Sequence, residues 1–186
     1  MDTLETEHLI LRPFQETDLD DFYEYAKNPH VGPSAGWPPH VSKEDSLKIL
    51  DIFMSNDEVW AIVNKENSKL IGSIGLHTEP LRSTEDVKML GYVLSEDYWG
   101  RGIMVEASKA VINYAFENMC LQLLAVHYYP FNLQSKRVIE KCGFVYEGTL
   151  RHAKQIYDGS VYDVVCYSMT RDEWKAKEKI ESDIFV

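Results

Sequence analysis

A helical stretch enclosed between two strand-like runs constrains the fold of this chain more than any other feature. Residues 87–94 (VKMLGYVL) and 123–129 have the apolar content and length of buried strands. Between them, from about residue 102 to residue 118, apolar side chains recur at helical spacing. A strand, a helix and a strand in this order form a right-handed crossover, so the two strands should be parallel.

The rest of the chain continues the mixture of strand and helix patterns. Residues 29–40 are rich in proline and glycine and are predicted to form a loop. Further strands are predicted at 8–14, 58–64, 70–77, 144–150 and 161–169, and further helices at about 18–26, 42–53, 132–141 and after 170. The sequence therefore predicts an α/β (α+β) domain with a mixed sheet flanked by helices.

Composition indicates an ordinary single-domain protein. The chain has 186 residues, 45% of them apolar, which suffices for a buried core without disulfides or a structural metal. Its net charge of −11 argues against direct nucleic-acid binding, and no apolar run approaches the ~18 residues of a membrane span. The three cysteines are widely spaced, and the N-terminus lacks an apolar signal segment. We therefore expect a cytoplasmic protein with reduced thiols and no metal site.

The segment between the first parallel strand and the helix carries the strongest chemical signal. Residues 96–107 read EDYWGRGIMVEA, with Gly100 and Gly102 at the bend. A glycine bend before a helix directs free backbone N–H groups to one point, where the helix dipole adds positive potential. Such a point binds phosphate, although a Gly-x-Gly bend is also often only a tight turn. GxxxxGK[ST] is absent and Val105 replaces the third glycine of a dinucleotide fingerprint, which excludes both of those phosphate sites.

A second segment follows the second parallel strand. Residues 132–144 read NLQSKRVIEKCGF, in which Asn132 is placed to cap a short helix and Gly143 to end it. Caps of this kind occur on any short helix, so this segment indicates a function only when it is combined with the first segment.

Together, the two segments resemble the GNAT acetyltransferase superfamily, within its branch of ribosomal-protein N-terminal acetyltransferases (RimJ/RimL-like). The resemblance covers most of the chain, from LILRP at residues 9–13 to EW at residues 173–174. It implies a GNAT fold, with a mixed, mostly antiparallel sheet of six to seven strands and a splayed parallel pair at its centre. It also implies direct transfer of an acetyl group from acetyl-CoA, as co-substrate, to a primary amine, without a metal.

The resemblance also implies roles for individual residues. Acetyl-CoA should lie between the splayed strands, and Ser135 should protonate the departing thiolate. The expected cofactor contacts are Val93, Leu94, Trp99, Gly100, Arg101, Gly102, Ile103, Met104, Asn132, Ser135 and Arg137. His127 is a candidate base or a wall of the acceptor pocket, and Trp37 and His77 are candidate acceptor contacts; all three have an alternative, purely structural interpretation.

Two residues depart from the family pattern. Met104 stands where a small residue is usual, and it fits the bend only if its side chain points into the core. Ile139 stands where many members have a tyrosine acid, so that role cannot be filled at this position.

The charges are distributed unevenly along the chain, as expected if one part binds the cofactor and another part binds the acceptor. Residues 99–154 contain seven basic and four acidic residues, whereas the remainder is strongly acidic. A positive half suits anionic coenzyme A, and an acidic half attracts a cationic amine.

Several properties of the acceptor and of the assembly stay open at this point. The expected acceptor is an N-terminal α-amine of a protein or peptide. A small amine (polyamine or aminoglycoside-like) and a non-catalytic acetyl-CoA-binding module are the alternatives. We expect one domain at residues 1–174 and a charged segment at 175–186, no nucleic-acid or membrane partner, and a monomer or homodimer.

Overall fold

A single sheet runs through the protein. The computed structural model describes the backbone of residues 1–184 and the side chains of residues 1–180, and the expected segment 175–186 extends beyond that range. Within the described backbone the sheet has eight strands in the order β1-β2-β3-β4-β5-β6-β8-β7. The strands are β1 (Leu4–Glu5), β2 (Leu9–Arg12), β3 (Val59–Asn64), β4 (Leu70–Thr78), β5 (Val87–Leu94), β6 (Leu123–Tyr128), β7 (Val145–Gln155) and β8 (Val161–Thr170).

Helices cover both faces of this sheet. They are α1 (Leu19–Ala26), α2 (Val31–Ser34), α3 (Lys43–Ser55), α4 (Ile103–Glu117), α5 (Leu133–Cys142) and α6 (Arg171–Ile184). Side chains of α4, α5 and α6 share one core with the sheet, and side chains of α1 and α3 share a second core on the other face. No helix of the described chain is long and apolar enough to cross a membrane.

The parallel pair at the centre of the sheet is confirmed, and it separates before its strands end. β5 and β6 pair in parallel from Val87 opposite Leu123 to Leu90 opposite Val126. Beyond that point β5 stays paired with β4 as far as Leu94, and β6 stays paired with β8. Each strand is thus held from its outer side, and the facing backbone groups of the two strands are left without strand partners.

The fold class predicted from the sequence is confirmed, with three differences in detail. The sheet has eight strands instead of six to seven, because the two-residue strand β1 pairs antiparallel with β2. The predicted loop at 29–40 contains helix α2, in which the Ser34 hydroxyl donates a hydrogen bond of 2.7 Å to the Val31 carbonyl. β7 continues to Gln155, since register shifts let it follow β8 further than the pattern indicated.

The last helix is anchored at its start. The backbone N–H and the hydroxyl of Thr170 donate to the Glu173 carboxylate, and the Glu173 N–H donates back to the hydroxyl. This reciprocal cap is the one that the TRDE sequence indicates. Trp174 then stacks on Phe116 of α4 at 5.5 Å. Helix α6 begins at Arg171 and continues into the expected charged segment that starts at residue 175.

Candidate functional site

The bend before α4 has the backbone that its two glycines allow. Gly100 and Gly102 have φ angles of +76° and +83°, in the left-handed region that side chains disfavour. A Cβ built on either glycine would have no protein atom within 4 Å, so both Cα atoms border open space. The first N–H groups of α4, which begins at Ile103, lie beside that space and have no acceptors within the helix. The bend therefore fits a diphosphate bound by main-chain amides.

The two residues that flank this bend pack inward. Met104 is 5% exposed and belongs to the core shared by α4 and the sheet. The unusual methionine therefore leaves the bend accessible. The Trp99 indole N–H donates a 2.8 Å hydrogen bond to the carbonyl of Leu94, which ties the bend to the end of β5.

A cleft extends from the bend along α5; we call it the glycine cleft. Its lining includes ten of the eleven expected cofactor contacts, namely Val93, Leu94, Trp99, Gly100, Gly102, Ile103, Met104, Asn132, Ser135 and Arg137. Arg101 is absent from the lining, and its guanidinium lies 5.3 Å from the ring centroid of Tyr98. Lys141, which the sequence analysis did not single out, adds a second basic side chain beside Arg137.

The start of α5 positions a serine and an asparagine at the inner end of this cleft. Oδ1 of Asn132 accepts the Ser135 N–H at 3.0 Å, the predicted cap, and Nδ2 donates to the Ser34 carbonyl at 2.9 Å. Asn132 therefore joins α5 to the segment that carries α2. Ile139 is buried, in agreement with its failure to supply an acid.

Tyr92 is a site residue that sequence reasoning missed. Its hydroxyl lies 2.8 Å from the hydroxyl of Ser135, across the space between β5 and α5. Burial raises the pKa of Tyr92 far above its usual range, and the hydrogen bond with Ser135 only partly opposes this, so the phenol keeps its proton. No local signal could have found it, because a tyrosine within a strand is ordinary and the contact spans 43 residues.

A second cavity, the His127 pocket, meets the glycine cleft in the opening between β5 and β6. Ser34, Tyr92, Asn132 and Ser135 line both. The rest of the His127 pocket is formed by Ala35, Pro80, Leu81, Met89, Leu90, Gly91, Val126, His127, Tyr128, Tyr129, Leu150, Ala153, Lys154 and Val164. The structure thus brings the candidate residues Ser135 and His127 to one continuous space.

Ser135 and His127 reach this space from opposite faces of the sheet. Leu90 and Val126 are register partners, and both belong to the core on the α4 face. Side chains alternate along a strand, so Tyr92 points toward the α4 face and His127 toward the face that α1 and α3 cover. The opening between β5 and β6 therefore connects the face with the Tyr92 and Ser135 hydroxyls to the face with the His127 imidazole.

The two remaining candidates lie outside both cavities. His77 is not in the lining of either cavity; it packs over Gly91, whose added Cβ would lie 2.9 Å from its ring. Burial lowers the pKa of His77, with partial opposition from Glu58. Trp37 lies against Gly32 and His40 and lines a separate apolar cavity beneath α1 and α3. Among the described residues no cluster of three or more His, Cys, Asp or Glu could hold a metal ion.

Comparison with known proteins identifies what this chain is similar to. The acetyltransferase (GNAT) domain model matches residues 8–145. The ribosomal-protein-serine acetyltransferase of Escherichia coli is 33% identical over 138 residues, which is 71% of this chain and 74% of that protein. An uncharacterized N-acetyltransferase derived from the SPbeta prophage in Bacillus subtilis is 32% identical over 181 residues, covering 91% and 93%.

A solved structure gives the same result in three dimensions. The ribosomal-protein-S5-alanine acetyltransferase of Vibrio fischeri superposes with a TM-score of 0.74 at 26% identity. That match covers 94% of this chain and 99% of the other.

Proposed function

The chain belongs to the GNAT acetyltransferase family and is an acetyl-CoA-dependent N-acetyltransferase, and we propose that its acceptor is the N-terminal α-amine of a protein or peptide. One observation carries this proposal: the glycine cleft and the His127 pocket meet at Ser135, in the opening between two separated parallel strands. A donor in one cavity and an acceptor in the other would have their reacting atoms side by side there.

We propose that the glycine cleft binds the cofactor through main-chain and basic groups. The N–H groups from Gly100 to Met104 bind the diphosphate, and Arg137 with Lys141 balances its charge. The unpaired edge of β5 near Val93 and Leu94 binds the pantetheine arm. Acetyl-CoA supplies an acetyl group already activated as a thioester.

At the reacting end, the Ser135 hydroxyl donates a proton to the departing sulfur, and Tyr92 holds that hydroxyl in place. Asn132 keeps the start of α5 and the α2 segment together around the opening. His127 faces the acceptor side of the same opening.

Two arguments favour an α-amine as the acceptor. An α-amine with a pKa near 8 costs ~1.4 kcal/mol to deprotonate at pH 7, whereas an ordinary lysine near 10.4 costs ~4.6 kcal/mol. Two similar proteins are named for acetylating a serine and an alanine of ribosomal proteins. Neither side chain carries an amine, so an N-acetyltransferase can act on an alanine only at the backbone nitrogen of a chain terminus.

Three further properties belong to the same proposal. The enzyme works in the cytoplasm, which suits its free Cys120, Cys142 and Cys166. Residues 1–174 act as one catalytic domain, followed by the charged segment, in a monomer or a homodimer. The net charge of −11 favours a cationic partner over nucleic acid.

The proposal is tested by mixing the protein with acetyl-CoA and peptides that begin with serine or alanine. Release of free thiol and the mass of each peptide are followed. The control is the same peptide with a blocked N-terminus and an internal lysine. We expect one acetyl group on each free α-amine and none on the control.

Three other outcomes would contradict the proposal. Acetylation of lysine alone, or of polyamines and aminoglycosides alone, would move the acceptor to another class. Binding of acetyl-CoA without thiol release for any acceptor would favour a cofactor-binding module without catalysis.

A further inference from the structure

Buried polar atoms without partners are concentrated at one place in the described part of the protein. Among the described residues, five buried side-chain nitrogen or oxygen atoms lack a hydrogen bond. Three of the five lie together and belong to Glu79, Arg82 and His127. Unsatisfied buried polar atoms cost ~1–3 kcal/mol each, so a group of three calls for an explanation. Together with Glu147, these residues form what we call the Glu79 cluster.

The Glu79 cluster contains one more carboxylate than its arginine can balance. One Arg82 nitrogen contacts both Glu147 oxygens, at 2.6 and 2.7 Å. Another Arg82 nitrogen lies 3.5 Å from Glu79, and Glu79 also accepts the Leu81 N–H at 2.9 Å. The remaining oxygen of Glu79, whose side chain is 1% exposed, lies 3.5 Å from Nε2 of His127.

Glu147 is fully engaged with partners other than His127. Burial acts to raise the pKa of Glu147, but hydrogen bonds from Arg82 and Ser168 outweigh it and hold that pKa below its usual value. Arg82 is therefore shared between two carboxylates and is nearer to Glu147, and one oxygen of Glu79, without a hydrogen-bond partner, faces His127.

The surroundings of His127 favour its neutral form at rest. Burial lowers the pKa of His127, with opposition from Glu79 and Glu147 and support from Arg82. Cys166, its register partner on β8, stays a neutral thiol because burial raises its pKa. A neutral imidazole that lines the His127 pocket has one nitrogen able to accept a proton.

We propose that Glu79 is a positioning residue that keeps the proton of neutral His127 on Nε2, so that Nδ1 accepts the proton that the amine loses. The inference rests on the proposed function and adds an acid–base pair on the acceptor face of the sheet. Ser135 on the opposite face then handles only the proton needed by the leaving sulfur. The Glu79 carboxylate, 3.5 Å from Nε2, balances the positive charge of the imidazolium that forms when Nδ1 gains a proton.

The transfer balances with these groups alone. The amine nitrogen forms a bond to the carbonyl carbon, and the carbon–sulfur bond breaks with its electron pair on sulfur. The proton leaving nitrogen bonds to Nδ1 of His127, and a proton from Ser135 bonds to sulfur. The products are an amide and a free thiol, and solvent returns the two side chains to their starting protonation.

The test combines Glu79→Gln, which keeps an oxygen for the Leu81 N–H, with histidine-labelled NMR titration and a pH profile. In the wild type we expect the neutral His127 ring to carry its proton on Nε2. In the variant we expect the His127 pKa to fall by about one unit, since an opposite charge is removed. We expect kcat/KM on an α-amine peptide to fall about 10- to 100-fold, its acid limb to move to lower pH, and KM for acetyl-CoA to stay unchanged.

Glu58→Gln is the matched control, because Glu58 lies 4.0 Å from a different histidine on this face, His77. It should leave the His127 titration and the pH profile as in the wild type.

Two results would overturn the inference: an Nδ1–H tautomer in the wild type, or a His127 pKa unmoved by Glu79→Gln. The tautomer is read on wild-type protein alone, so it decides the matter even if the variant does not fold. Both readings need no acceptor, so they are independent of the outcome of the peptide assay. A wild type that transfers no acetyl group would instead refute the proposed function.

Discussion

At the scale of single residues, the proposed chemistry depends on the contact between the hydroxyls of Ser135 and Tyr92. Tyr92 comes from β5 and Ser135 from the first turn of α5, and their oxygens meet 2.8 Å apart where both cavities join. Because burial raises the pKa of Tyr92, its phenol keeps its proton and is a stable partner for the proposed proton donor, Ser135. In the proposed mechanism, the Ser135 hydroxyl takes the place of the tyrosine acid that is absent at Ile139.

Ser135→Ala should slow acetyl transfer by about 100-fold, the lower range for loss of a general acid, while the affinity for acetyl-CoA stays within about twofold. Steady-state thiol release and calorimetric titration measure the two quantities separately. Ser83→Ala, at an exposed loop serine, is the control and should match the wild type. Unchanged turnover in Ser135→Ala would remove that residue from the proton-donor role.

Gly102 combines a backbone requirement with a ligand requirement, and a second glycine separates the two. Gly102→Ala should cost ~1–2 kcal/mol of stability from its left-handed φ and should weaken acetyl-CoA binding at least tenfold by placing a methyl group over the bend. Gly159→Ala, at a φ of +86° in the β7–β8 turn, should show the stability loss alone. Calorimetric titration measures the acetyl-CoA affinity of both variants, and thermal unfolding measures their stability. If Gly102→Ala and Gly159→Ala bound acetyl-CoA equally well, the role of the bend would be contradicted.

At the scale of elements, α5 is held at both ends by features visible in the sequence. Asn132 caps its start, and Gly143 ends it with a φ of +79°. The second hydrogen bond of Asn132, to the Ser34 carbonyl, is tertiary and joins α5 to a segment almost a hundred residues earlier.

Asn132→Ser should keep the cap of α5 and remove only the link to Ser34, because serine caps helices well but lacks the amide donor. We expect the unfolding free energy to fall by ~0.5–1.5 kcal/mol, the contribution of one hydrogen bond, and KM for acetyl-CoA to rise two- to tenfold as the start of α5 loses its link to α2. Asn132→Ala removes both contacts and should additionally lose ~1 kcal/mol in denaturant unfolding. A KM in Asn132→Ser equal to that of the wild type would assign Asn132 to capping alone.

Features that depend on residues close in sequence were predicted, whereas features that depend on distant residues were not. The parallel pair, the Thr170 cap and the glycine bend follow from periodicity and from residue types within a few positions. Tyr92 and Glu79 escaped prediction because their partners lie 43 and 48 positions away, and nothing local marks them. Helix α2 escaped because Gly32 and Pro33 suggest a loop, whereas burial of Val31 and Gly32 stabilises one helical turn.

On the scale of the whole molecule, charge is divided as the two proposed ligands require. The segment 99–154 carries more basic than acidic residues, within a chain of net charge −11. The glycine cleft includes Arg137 and Lys141, while two carboxylates, Glu79 and Glu147, share one arginine beside His127.

Salt should therefore weaken acetyl-CoA binding. Raising the salt from about 0.05 M to 0.5 M shortens the Debye length severalfold, and we expect a three- to tenfold rise in Kd by calorimetry. Arg137→Gln should flatten this dependence. Arg151→Gln, at an exposed β7 position outside the cleft, should leave it as steep as in the wild type. A Kd independent of salt would contradict electrostatic capture of the cofactor.

The early separation of β5 from β6 has a consequence for how the catalytic cycle is organised. Because the gap passes through the sheet, the donor and the acceptor, if they bind as proposed, enter from opposite faces, and neither has to leave before the other arrives. With two such entrances, the proposed transfer needs no acylated enzyme as a carrier between half-reactions. Under the same proposal, the used thiol would exit on one side while the modified chain end departs on the other.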